Sequence, residues 1–252
     1  MGSFEGLAEV YAKARRGYPA EMRSHLVRAG ALTTASTVVD LGTGTGQLAS
    51  MAAVVAAKVI AIDPEPDMVR VGQAGTHECS EIRWALGSDR DILRLVDPPI
   101  DLVLIGNAFH HMEQATLLTD LDELVAAAGF VVICSSSVPV WLQDADWSRA
   151  LREQLGAELG RPIGPGGVPD HDADTVALGQ SRFNEVERWT LEQDHARSVD
   201  SIVGEVVSSA SGAIDFDAAH RLGHALAPFL TNGLVTEHVR TTALIASRPH
   251  GE

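Results

Sequence analysis

Residues 37–52 read TVVDLGTGTGQLASMA. The stretch opens as a short apolar run rich in β-branched residues, which is the pattern of a buried strand. An acid, Asp40, interrupts it, and glycines follow at 42, 44 and 46. A small-residue helix then covers 46–56. Glycine at three alternate positions after a strand marks a turn where the backbone adopts positive φ or lies close to another group.

Working outward, the same strand-then-helix unit recurs. Residues 58–63 (KVIAID) form a second apolar strand ending in an acid, Asp63. Pro64 and Pro66 follow near a helix start, where a missing N–H costs least. Residues 82–87 and 101–107 read as third and fourth strands. Leu117, Leu121, Leu124 and Val125 share one face of a helix over 114–127. Residues 129–135 (GFVVICS) form a fifth strand. Alternation of this kind predicts an α/β fold, a doubly wound, mostly parallel sheet with helices on both faces.

Beyond 137 the pattern loosens. A helix with tryptophans near its start precedes a Pro/Gly-rich loop, so residues 137–180 read as a lid-like insertion. A strand over 183–194, a helix with Val199, Ile202, Val203, Val206 and Val207 inward, a helix over 216–230 and a strand over 234–246 complete the chain. Residues 1–30 read as an N-terminal helical segment lying over the site. The whole, 1–252, is expected to be one domain with one core.

Composition narrows the function. The formal net charge is -15 over 252 residues, and nucleic-acid binders normally show a basic face because phosphate contacts supply much of their affinity. No uncharged apolar run reaches the roughly 20 residues needed to span a bilayer. The two cysteines, Cys79 and Cys134, form no CxxC pair, which suits a reducing compartment. The expectation is a cytoplasmic protein acting on a small molecule as a monomer or homodimer, with no nucleic acid, membrane or metal partner.

The glycine spacing separates two ligand classes. A dinucleotide turn reads G-x-G-x-x-G and seats a pyrophosphate on a helix N-terminus. Here an acid precedes G-x-G-x-G, and the third glycine comes one residue early. Asp40 disfavours a pyrophosphate and favours a ligand carrying positive charge.

At these residues the chain resembles the class I S-adenosylmethionine-dependent methyltransferases of small-molecule type, through successive motifs over roughly 37–135. The resemblance implies a Rossmann-like, seven-stranded sheet whose last strand is antiparallel, and S-adenosyl-L-methionine as cofactor. It implies that Gly42, Thr43, Gly44 and Gly46 line the methionine part, with Asp40 near its amino group. Asp63 would accept both ribose hydroxyls, and Pro64 and Met68 would lie near the adenosine. Ser88 and Asp89 would meet the adenine amino group. Asn107 and Ala108, in LIGNAFHHM, would sit beside the methyl group with His110 and His111. Related enzymes carry Y-x-x-x-R-P-x-Y-P near the N-terminus. This chain keeps Tyr11, Arg15, Tyr18 and Pro19 but has Arg16 in place of the proline. On that likeness Arg15 would meet the cofactor carboxylate and Tyr11 would close over the site. The alternative is an arginine pair on the surface and a packed tyrosine.

For the chemistry, His110 is the preferred base candidate and His111 its companion; the alternative is that one or both pack beneath the cofactor. Phe109, Trp141, Trp147, Tyr18 and His110 are candidates for contacting an acceptor, the tryptophans offering a flat apolar wall or else pinning the insertion. The Asp170–Asp174 run reads as a solvated turn, and Ser135 lacks the elbow of a hydrolase. The expected function is S-adenosylmethionine-dependent O-, N- or C-methylation of a small molecule, in secondary metabolism on the family likeness alone. One rival is a protein of the same fold that rearranges or cyclises its substrate, or only binds the cofactor. A nicotinamide oxidoreductase is a further rival that the glycine spacing disfavours.

Overall fold

A computed structural model describes residues 7–136, 138–164, 168–210 and 213–249. In chain order the elements are α1 (Ala8–Ala14), α2 (Ala20–Arg28), β1 (Thr37–Leu41), α3 (Gln47–Ala53), β2 (Lys58–Asp63), α4 (Pro66–Gly75) and β3 (Ile82–Leu86). Then come α5 (Ile92–Leu95), β4 (Ile100–Gly106), α6 (Gln114–Leu124), β5 (Val125–Ser136), α7 (Asp146–Leu159) and α8 (His171–Gly179). The chain closes with β6 (Glu185–Ser198), α9 (Val199–Ser209), α10 (Phe216–Leu226) and β7 (Leu234–Ser247).

The seven strands form one sheet in the order β3-β2-β1-β4-β5-β7-β6. Strands β1 to β5 pair in parallel, and β7 runs antiparallel to β5. Strand order reverses between β1 and β4, so the loops after those strands diverge and leave a crevice at their carboxyl ends. The Rossmann-like sheet with an antiparallel last strand is therefore present as expected.

The chain divides into two units. One comprises Met1–Arg16, Ser137–Val168 and Glu192–Arg240; the other comprises Gly17–Ser136, Pro169–Leu191 and Thr241–Glu252. In the second unit, apolar clusters cover both faces of the sheet. One joins Val39, Ile62, Val103 and Ile133 to Phe109, Leu117 and Leu121. The other joins Val38, Val59, Leu104 and Val132 to Met22, Leu26, Leu48 and Met51. The first unit has its own cluster, in which Trp147, Leu151 and Leu155 of α7 pack with Ile202 and Val206 of α9 and Leu222 of α10.

This differs from the single core and 137–180 insertion read from the sequence. The stretch is split: α7 lies in the first unit and α8 in the second. The apolar faces of α9 and α10 are what give α7 a core of its own. Residues 1–6, 137 and 165–167 of the expected terminal segment and insertion lie outside the described residues.

A buried ionic network sits inside the first unit. Glu237 of β7 accepts hydrogen bonds from Arg16, from Arg197 Nη1 at 2.6 Å and from Gln143 Nε2 at 2.7 Å. Arg197 also donates to the Ala14 carbonyl and pairs with Glu205 at 3.2 Å. Burial works to raise the Glu237 carboxyl, but Arg16 and Arg197 outweigh it and hold the group below its usual value. A carboxylate so enclosed is stable only with its partners in place.

Two predictions follow from packing. A Cβ at Gly72 of α4 would lie 2.0 Å from the Trp84 ring, whereas one at Gly75 meets nothing within 4 Å. Gly72→Ala is expected to cost about 1–3 kcal/mol by overpacking, and Gly75→Ala to be neutral or stabilising by up to about 1 kcal/mol. Equal unfolding midpoints for the two would contradict the packing. Glu237→Ala strands two guanidinium groups and is expected to cost about 3–5 kcal/mol, read from urea denaturation.

Candidate functional site

The glycine turn is built by neighbours on both sides. Gly42, Gly44 and Gly46 all have positive φ, at 69°, 58° and 89°, a region costly for side-chain-bearing residues. A Cβ at Gly42 would come 2.7 Å from the Ala108 Cβ in the loop after β4, and one at Gly46 would come 2.8 Å from the Trp84 ring. Protein packing alone therefore accounts for two of the three glycines.

The turn is tied to β2. Gly42 and Thr43 donate their N–H groups to the Ile62 carbonyl at 2.9 and 3.0 Å. Asp63, ending β2, accepts from Gly44 N at 2.8 Å and from Glu65 N at 3.0 Å. Burial raises the Asp63 carboxyl, and the two amide bonds partly offset this.

Asp40 is fully buried in the middle of β1. Its Oδ2 accepts from Thr43 Oγ1 at 2.5 Å and Ala49 N at 2.7 Å. Its Oδ1 is buried with no hydrogen-bond partner among the described residues. Burial pushes this carboxyl up to about 7, against the lowering effect of Thr43 and Ala49, and the nearby Asp63 charge raises it further. A positive charge close to it would favour its ionised form.

The loops after β3 and β4 meet. Ser88 and Asp91 form a reciprocal cap, with Ser88 N and Oγ 3.0 and 3.2 Å from Asp91 Oδ2. Asp89 accepts from Glu113 N at 2.9 Å. Asn107 takes a left-handed φ of 52°, and its Nδ2 donates to Tyr18 Oη at 3.2 Å. Gly106 must be small, because a Cβ there would lie 2.6 Å from that same hydroxyl. His110 and His111 sit on a short 3-10 turn, both exposed, with ring centroids 3.9 Å apart. Partial burial, then the His111 charge, lowers the His110 pKa, so its imidazole is predominantly neutral at pH 7 and able to accept a proton.

The remaining predicted residues differ in their placement. Pro64 is exposed and Met68 is buried. Phe109, expected to offer a stacking face, is 2% exposed within the sheet core, so it packs beneath the loop. Trp147 is likewise buried in the first unit's core, and its Nε1 donates to the Thr236 carbonyl at 3.0 Å. It pins α7, and only Trp141 of the pair is partly open. Arg15 pairs with Glu205 at 3.4 Å, donates to Ser209 Oγ at 3.0 Å and lies 5.1 Å over the Tyr11 ring. Tyr11, Arg15, Trp141 and Trp147 belong to the first unit and the other predicted residues to the second.

The sequence reading missed one cluster. Asp170 caps α8 through Asp172 N and Ala173 N, placing His171 Nε2 2.7 Å from Ser135 Oγ at the end of β5. Asp174 Oδ2 stands 3.8 Å from His171 Nδ1. Burial, then Asp170, pushes Asp174 up to about 6. The run read as a solvated turn is a capped helix start with two inward polar groups. Its cap residue Asp170 followed by acids in the first turn, Asp172 and Asp174, was the available signal.

Comparison with known proteins agrees with this geometry. Residues 38–129 match the family described as "Methyltransferase domain". An uncharacterized methyltransferase of Mycobacterium tuberculosis is 28% identical over 221 residues, 87% of this chain and 81% of that protein. The ubiquinone/menaquinone biosynthesis C-methyltransferase UbiE of Rubrivivax gelatinosus is 28% identical over 120 residues, 47% of each chain. A solved structure assigned as a type II methyltransferase from Anaeromyxobacter dehalogenans superposes with a TM-score of 0.66 at 18% identity, covering 94% of this chain and 99% of that one. The glycine turn and the two strand-end acids thus sit in a chain that carries the methyltransferase-domain match and is similar to methyltransferases along most of its length.

Proposed function

We propose that the protein binds S-adenosyl-L-methionine at the turn after β1 and transfers its methyl group to a small-molecule acceptor. The observation that carries this reading is Asp40: a buried carboxylate with one oxygen unpartnered, beside a turn whose backbone is held open by positive φ. The residues fit the cofactor. Asp40 supplies the negative charge for its amino group, Gly44 the close backbone approach, and Asp63 a strand-end acceptor for the ribose hydroxyls. Ser88, Asp89 and Met68 lie on the elements that would flank the adenosine.

When bound, the cofactor supplies an electrophilic methyl on a sulfonium, and in-line alignment with a nucleophile supplies much of the rate. The chain's own part is positioning and proton handling. His110 is neutral at physiological pH and takes a proton from a hydroxyl or amine acceptor. Tyr18, bonded to Asn107, fixes the loop that carries it. A carbon acceptor already ionised as an enolate needs no such base. The net charge of -15 supports a small-molecule rather than a nucleic-acid acceptor. A place in secondary metabolism rests on the family likeness.

Incubation of the protein and labelled cofactor with extract fractions tests the reaction: label is expected in a small-molecule fraction. Tight cofactor binding with no label transferred would instead favour rearrangement chemistry or a binding role. Asp63→Ala is expected to raise the dissociation constant for S-adenosylhomocysteine at least about tenfold, through loss of charge-assisted hydrogen bonds.

The pH dependence has a definite sign. Asp40 has a folded pKa of about 7, and a cationic ligand selects its ionised form. Affinity for S-adenosylmethionine is therefore expected to rise about tenfold from pH 6 to pH 8, with proton release on binding. Calorimetry in buffers of different ionisation enthalpy measures this. Asp40→Asn should flatten the profile; an unchanged slope in that variant would overturn the assignment.

A further inference from the structure

The first unit contains a cavity of about 510 Å³, within the range that holds one drug-sized molecule. Its wall is apolar: Trp141, Leu155 and Leu159 of the α7 region face Val206 of α9. Among the described residues, the polar side chains in the lining belong to Arg161 and Ser209. The left-handed Gly160, with φ 63°, ends α7 and redirects the chain so that Arg161 joins the lining.

The polarity of the cavity is one-signed. Ser209 Oγ accepts from Arg15 and donates to the Glu205 carbonyl, so its proton is committed inside the protein. The Arg15 charge is balanced by Glu205. Among the described residues, the Arg161 side chain forms no hydrogen bond or ion pair. In a chain of net charge -15, this leaves a guanidinium beside an apolar wall with no anion to meet it. Among the described residues, no carboxylate lines the cavity.

We propose that this cavity binds an apolar small molecule carrying one anionic group, with Trp141 against its ring or chain and Arg161 on the anion. An arginine fork suits a carboxylate or sulfonate, which it can hold through two parallel hydrogen bonds. That the cavity binds such a molecule stands independently of the function proposed above.

The test uses two fluorescent probes on the full chain. 1-Anilinonaphthalene-8-sulfonate has the required chemistry, and N-phenyl-1-naphthylamine is its uncharged counterpart. The wild-type protein is expected to bind one equivalent of the sulfonate saturably. Arg161→Glu, an exposed substitution, should weaken the sulfonate at least tenfold and leave the uncharged probe within twofold. Ala210→Trp, which fills the cavity, should remove both. Circular dichroism confirms that each variant is folded, and Ala210→Leu replaces the tryptophan variant if that one is not. Equal sulfonate binding by wild type and Arg161→Glu would overturn the proposal, as would full binding in a cavity-filled variant or no saturable binding at all. Titration of the same samples with S-adenosylhomocysteine separates the two readings: loss of that binding defeats the methyl-transfer site and leaves the probe result standing.

Discussion

The Asp63 carboxylate holds the candidate site together. One oxygen takes the Gly44 amide and the other takes Glu65 N, so the end of β2 fixes both the glycine turn after β1 and the start of its own crossover helix. Three glycines with positive φ would otherwise leave that turn with a large conformational entropy to lose. The Ile62 carbonyl completes the clamp by accepting from Gly42 and Thr43. The turn is thus ordered by β2 before any ligand arrives, which is the condition for tight binding without a large ordering cost.

The same clamp places two acids where neither is comfortable. Asp40 and Asp63 are both raised by burial, and each is short of compensating charge. Asp40 holds the Thr43 hydroxyl and the Ala49 amide with one oxygen, while its other oxygen is buried without a partner, which is costly. Its retention in this sequence makes sense if a cation offsets that cost on binding. Glu237 in the other unit shows the opposite arrangement: it is equally buried, yet arginines and a glutamine surround it and hold it ionised. One acid is satisfied by the protein and the other is not.

Much of this was legible in the sequence because the signals were local. Strands β1 and β2 stand out as apolar β-branched runs, and the acid-then-glycine order distinguishes the turn from a pyrophosphate cradle. Less local features were not legible. The helix expected over 114–127 ends at Leu124, because Val125 pairs with Ile100 and the Ala-rich stretch after it joins β5; local helix propensity lost to strand pairing. Trp84 lies far along the chain from Gly46, so its role in keeping Gly46 and Gly72 small needed the fold. The Arg197–Glu237 pair joins residues 40 apart, and α7 found a separate core only through α9 and α10. For Phe109 a wall, and for Trp147 either a wall or a pin, were open readings because composition gives side-chain type and not direction; both side chains are buried.

Whether the Asp40 carboxylate is waiting for a positive charge decides what the glycine turn binds. Carbon-13 NMR of the aspartate carboxyl groups, with and without S-adenosylmethionine, addresses this directly. The ligand-free protein is predicted to show the Asp40 carboxyl titrating near 7, and saturation with the cofactor is predicted to lower that midpoint by about one pH unit or more. A midpoint that does not move on saturation would contradict the account.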